Sequence, residues 1–286
     1  MIRYNKPKRY FEKSGVVDPK ASYYVPLENV TNMDNQDIKT MVDYGRYFSI
    51  FAPRQSGKTT FFEGFCSQLE HEPSYIPILL SFQSAKNLDS VTFYSRIQED
   101  LFEQLSQRLE SVNCAQKDLV KDYLASTNIK GHTGFYDFFK TLNRLIKSKK
   151  IVIFIDEFDG IPLGELENFL ATLRELYQKY KKRTDKALYS VGLVGIRNIT
   201  KLIVGGVSPF NIADQVSFPP FSLKNVHDLY GQYTEETNQP FTEGAVEKVY
   251  EETGGQPWLV NRLGTILTVN IRPETTAPIT KEDVEK

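Results

Sequence analysis

The segment Ala52-Pro53-Arg54-Gln55-Ser56-Gly57-Lys58-Thr59 carries the strongest chemical signal in the chain. It follows the phosphate-loop pattern G-x-x-x-x-G-K-[S/T], with Ala52 in place of the first glycine. A loop of this kind, opening a helix, turns its backbone N–H groups toward phosphate oxygens. Gly57 would let the backbone approach where a Cβ would collide. Lys58 would neutralise β- and γ-phosphate charge, and the Thr59 hydroxyl would ligate Mg²⁺. Pro53, Arg54, Gln55, Ser56 and Thr60 complete the expected nucleotide-binding segment. If the first position demanded positive φ, Ala52 would be strained.

A second constellation is Ile151-Val152-Ile153-Phe154-Ile155-Asp156-Glu157, an apolar run ending in two acids. This is the Walker B pattern. The strand would deliver Asp156 to its C-terminal end to hold Mg²⁺, directly or through water. Glu157 would polarise the attacking water as general base. Arg197, after Val194-Gly195-Ile196, is placed to sense the γ-phosphate, with Asn198 as the second choice. Gly254-Gly255-Gln256-Pro257 reads structurally as a glycine helix stop with Pro257 opening the next helix. Whether Pro257 also packs on the nucleotide stays open at this level.

Other polar groups read as structural. Cys66 and Cys114 have no Cys or His at metal-ligand spacing, so both are expected as reduced, buried thiols. His71, His132 and His227 are scattered, which argues against a zinc site. The runs Lys147–Lys150 and Lys179–Arg183 read as solvated faces, and Phe135, Phe138, Phe139 and Leu142 as helix-to-core packing.

The elements that must position these groups follow from hydrophobic pattern. Strands are expected at Tyr47–Phe51, Tyr75–Phe82, Ile151–Ile155, Leu188–Ile196 and Val216–Phe218. Helices are expected near Asn35–Asp43, at Lys58–Leu69, across much of Asp89–Lys149, and at Leu163–Lys181. Gly131 and Gly134 would break the chain before a helix at Phe135–Ile146. After Pro219-Pro220 the pattern becomes purely helical: Leu223–Thr234, Thr242–Glu252 and Trp258–Val269. The fold class is therefore α/β, a three-layer α/β/α domain around a parallel five-stranded sheet, followed by a small all-helical lid. Three regions are expected: an arm over 1–45 packing on the core, a nucleotide-binding domain over 46–220, and the lid over 221–286. Thr280-Lys281-Glu282-Asp283 reads as an N-cap and first turn. So short a helix is marginal alone, which leads to the expectation of a lid cut from a longer protein.

A length of 286 residues suffices for such a domain and its satellite. The formal net charge of −1 gives no basic excess for a nucleic-acid or anionic-membrane partner. No apolar run is long enough to span a bilayer, and no secretory leader follows the basic start. A cytoplasmic setting is expected.

With these residues in hand, the chain resembles the AAA-like ATPases of bacteria and archaea that border the STAND class of signalling NTPases. The resemblance begins at Gly15–Pro19 and Tyr23–Leu27. It runs through Gly45-Arg46-Tyr47-Phe48 and the phosphate loop, and ends at Thr253–Asn261. It implies ATP as the nucleotide, tolerance of alanine at position 52, and Tyr23–Pro26 near the adenine, Tyr24 among them. It also implies Arg197 as sensor and Pro257 approaching the base or the loop. Longer members carry a C-terminal effector region or act on a protein partner, and homo-oligomers occur. The expected function is a Mg²⁺-dependent ATPase coupling nucleotide state to lid movement. The alternatives are a slow-turnover nucleotide-gated switch of STAND type and, with less support, a DNA-handling motor.

Overall fold

The computed structural model describes residues 3–112, 114–146, 149–181, 188–196 and 212–286. The chain packs as two compact units, one of residues 30–52 and 62–218, the other of residues 1–29, 53–61 and 219–286.

The first of these units is built on five strands: β1 (Tyr47–Phe51), β2 (Tyr75–Ser81), β3 (Lys150–Asp156), β4 (Ser190–Gly195) and β5 (Asp214–Val216). Their order is β2-β3-β4-β1-β5, and every pairing is parallel. The unbroken apolar run of β3 is explained by burial on both faces. Ile151, Ile153 and Ile155 point into a core shared with α3 (Ser90–Ser111), α5 (His132–Leu145) and α6 (Leu163–Lys181). Phe154 points the other way, its ring centroid 5.1 Å from Phe62 and 5.6 Å from Phe65 of α2 (Lys58–Glu70). Helices thus cover both faces, giving the expected three layers. The short helices α1 (Ile38–Asp43) and α4 (Lys117–Ser126) complete the unit.

Local signals set these elements. Asp89 caps α3 by accepting from Thr92 N at 3.1 Å. Phe93, Ile97, Leu101, Leu105 and Leu109, four residues apart, form its buried stripe. Several boundaries shift by a few residues from the sequence reading, and two of the shifts have a plain local cause. α5 starts at His132, so Gly134 lies inside its first turn rather than before it. There the N–H groups need no intrahelical partner, and a glycine disturbs little. β5 is Asp214–Val216, not Val216–Phe218, because Ser217 N leaves the ladder to donate to Thr31 O.

Both sheet edges are closed. On β2, Leu79 N donates to Gln104 Oε1 at 2.9 Å and Leu79 O accepts from Gln104 Nε2 at 2.7 Å. A side-chain amide on α3 thereby imitates a neighbouring strand. Two residues earlier on β2, Pro77 has no N–H to offer. On β5, Asn32 bridges Val216 antiparallel.

The second unit gathers α7 (Leu223–Thr237), α8 (Glu243–Thr253), α9 (Pro257–Thr265) and α10 (Lys281–Val284) around residues 3–29. Ser222 and Asn225 form a capping box on α7, and Thr242 caps α8. The core joins Phe11, Tyr23 and Val25 of the N-terminal segment to Val226, Tyr230 and Val260. A π-helical turn, Ile266–Ile271, continues α9. Four-residue α10 is sustained by tertiary partners: Asp283 is fully buried and accepts from Arg272 Nε and Lys286 Nζ, each at 2.9 Å. Among the described residues, no helix is long and apolar enough to cross a membrane.

Candidate functional site

The phosphate loop joins the end of β1 to α2. Its positive φ falls at Gln55 (+61°) and Gly57 (+87°), not at Ala52, so the alanine is unstrained. Pro53, Arg54, Gln55 and Thr59 are exposed, whereas Ser56 and Lys58 are buried. Lys58 Nζ donates to Pro53 O at 2.5 Å and lies 3.4 Å from Ser56 Oγ. The ammonium is thus folded over the loop's own backbone.

A cleft adjoins this loop. The loop and α2 contribute Gly57, Thr60 and Phe61; the N-terminal segment contributes Val17, Tyr24 and Leu27. Phe221, Leu229, Pro257 and Asn261 close it from the helical segment, and none of the described lining residues carries a charge. Several of its walls are pinned. Thr60 Oγ1 accepts from Val17 N at 3.2 Å. Tyr24 is held through its backbone, its N donating to Gln232 Oε1 at 3.3 Å and its O accepting from Gln232 Nε2 at 2.7 Å. Burial raises the Tyr24 phenol above its ordinary pKa.

Gly255 and Gln256 fix Pro257. Gly255 has φ +72°, and a Cβ there would lie 2.0 Å from Phe221 O. Gln256 Oε1 caps α9 by accepting from Leu259 N at 2.8 Å. Its Nε2 lies 3.3 Å from both Arg54 O and Gln55 O. Sequence reasoning therefore named Gly57, Thr60, Tyr24 and Pro257 separately, and the structure brings them around one cleft.

The acidic pair sits at the C-terminal end of β3. Asp156 is 4% exposed and accepts from Glu157 N through Oδ1 at 2.8 Å. Glu157 is exposed in a left-handed conformation, φ +50°. Glu63 on α2 was not anticipated. Burial and then the charge of Asp156 push its carboxyl above the usual range. Its only sequence signal is its place one helical turn after Thr59. Asp159 was also missed: its Oδ2 accepts from Ile196 N at 2.5 Å, fastening the turn after β3 to the end of β4. Arg197 and Asn198 lie outside the described residues. Among those described, no three His, Cys, Asp or Glu side chains gather to hold a metal. Magnesium held by a hydroxyl, one carboxylate, water and phosphates does not require such a cluster.

A family model for the AAA-like domain matches residues 12–275. The chain belongs to this AAA-like family. The match takes in the phosphate loop, the β3 acids and the Gly-Gln-Pro turn of the AAA-like chain. Solved structures with a similar fold include Cdc6p from Pyrobaculum aerophilum, at 10% identity over 77% of this chain and 54% of that one, TM-score 0.44. The Aeropyrum pernix ORC1 protein, solved in complex with DNA, matches at 14% identity over 90% and 65%, TM-score 0.49. The AAA-like chain thus spans between about half and two thirds of their lengths. No curated protein sequence matches it at significance.

Proposed function

We propose that this AAA-like chain binds ATP with Mg²⁺ and hydrolyses it. One observation carries the reading: a cleft whose described lining carries no charge shares Gly57 and Thr60 with the phosphate loop. The base enters between Tyr24 and Pro257, and the phosphates lie along the loop N–H groups. Lys58 trades its bond to Pro53 O for phosphate oxygens. Thr59 and Asp156 hold Mg²⁺, which when bound neutralises phosphate charge. The mutual repulsion of Asp156 and Glu63 suits a divalent cation nearby. Glu157 takes the proton of the attacking water, and Arg197 answers the charge on the γ-phosphoryl group.

The slow-turnover switch is the second reading, favoured by Gln256, which touches the loop carbonyls while capping α9. In it, lid position reports nucleotide state to an effector region, a partner or a second copy. Phosphate release from purified protein with Mg-ATP separates the two. Steady turnover that vanishes in Lys58→Ala and Glu157→Gln supports the ATPase. ATP binding without turnover, lost only in Lys58→Ala, supports the switch. Absence of Lys58-dependent ATP binding sinks both.

A further inference from the structure

We infer that Asn261 reads the 6-amino group of adenine. The inference rests on the ATP reading above and names the residue that discriminates the base.

Asn261 lines the cleft and is 6% exposed. Its Nδ2 donates to Pro257 O at 2.9 Å. A carbonyl can only accept, so this bond fixes the orientation of the amide. Oδ1 is the remaining acceptor, and it is buried with no hydrogen-bond partner among the described residues. A buried acceptor left unpaired is costly, and one on the wall of a ligand cleft calls for a donor from the ligand. Solvent scarcely touches Oδ1, so water does not satisfy it. Oδ1 is covered in this conformation, so a base reaches it edge-on only once the wall side chains have moved aside.

The chemistry of the missing group follows. Among the described side chains lining the cleft, Asn261 alone ends in an amide, and the rest present apolar surface or hydroxyls. The occupant is flat, apolar on its faces and a donor at one edge. Adenine offers its 6-amino group there. Guanine offers a carbonyl, which would set acceptor against acceptor. Unsubstituted purine offers only C–H.

The test is a ligand-by-residue cycle. Affinities of ATP, purine riboside triphosphate and GTP are measured by calorimetry on wild type and Asn261→Leu. Wild type is expected to prefer ATP over purine riboside triphosphate about tenfold, with GTP weaker still. In Asn261→Leu the ATP-to-purine ratio falls to about one, and GTP recovers relative to ATP. Equal wild-type binding of ATP and the purine analogue overturns the inference, and that comparison needs no variant to fold. An unchanged ratio in Asn261→Leu also overturns it. In both cases Lys58-dependent ATP binding leaves the ATP reading standing. If wild type binds no nucleotide, both fall together.

Discussion

Gln256 Nε2 stands 3.3 Å from Gln55 O, and the same amide's Oε1 caps the N-terminus of α9. One side chain therefore ties the backbone of the phosphate loop to the first turn of a lid helix. Gln256→Ser keeps a good cap but is too short to reach the loop. Its melting temperature is expected within about 2 °C of wild type, since cap loss alone costs only about 1 kcal/mol. The difference between the ATP- and ADP-induced thermal shifts should shrink. If Gln256→Ser keeps that difference while Gln256→Ala loses it, the cap and not the loop contact carries the coupling.

Gln55 holds φ +61° without being glycine. The left-handed region costs an L-residue about 1–2 kcal/mol. Gln55→Gly relieves this strain but adds about 0.5–1 kcal/mol of chain entropy, so stability should change by less than about 1 kcal/mol. Gln55→Val, branched at Cβ, should destabilise by more than about 1 kcal/mol and weaken ATP binding. Urea denaturation of both variants decides; equal tolerance of valine and glycine contradicts the left-handed loop.

Gly254 and Gly255 are neighbours with unlike burdens. Both have positive φ, but a Cβ on Gly254 meets nothing within 4 Å, whereas one on Gly255 meets Phe221 O at 2.0 Å. Gly254→Ala should cost about 1 kcal/mol, from backbone strain alone. Gly255→Ala should cost about 2–4 kcal/mol, because Phe221 or the turn must also shift. Similar denaturation midpoints for the two variants would remove the close approach as the reason for glycine at 255.

Asp283 links charge to stability. Hydrogen bonding from Arg272 holds its carboxyl well below the usual carboxylate range, with Lys286 adding to the effect. A depressed folded pKa means that the unfolded chain binds the proton more readily. The stabilisation is therefore complete above the ordinary aspartate pKa of about 3.9 and drains away as pH falls below it. Asp283→Asn should lower the melting temperature at pH 7 by about 2–6 °C and flatten the loss between about pH 4 and 2. An unaltered acid slope in the variant would assign that loss to other carboxylates.

Legibility tracked locality. β3 was plain because five apolar residues in a row suit a strand covered on both faces, and the phosphate loop because one short pattern carries its whole chemistry. β5 was displaced because Pro219-Pro220 marked where a strand had to stop but not where its partner ended. Gln232 reaches back 208 positions to clasp Tyr24, and no periodicity announces such a contact. Asn261 sat in plain view within the Thr253–Asn261 stretch, yet an amide on a helix is ordinarily a surface residue. Only its burial and its unmatched oxygen set it apart.

The clasp of Gln104 on Leu79 bears on how copies of this chain could meet. An open sheet margin invites a stranger's peptide to zip on, main chain to main chain. Here one margin is plugged by an amide and a proline, and the other is occupied by the chain's own Asn32. Among the described residues, a strand adding at either margin would first have to displace these contacts. Contact through side chains would meet no such obstacle, and there a point substitution can edit it.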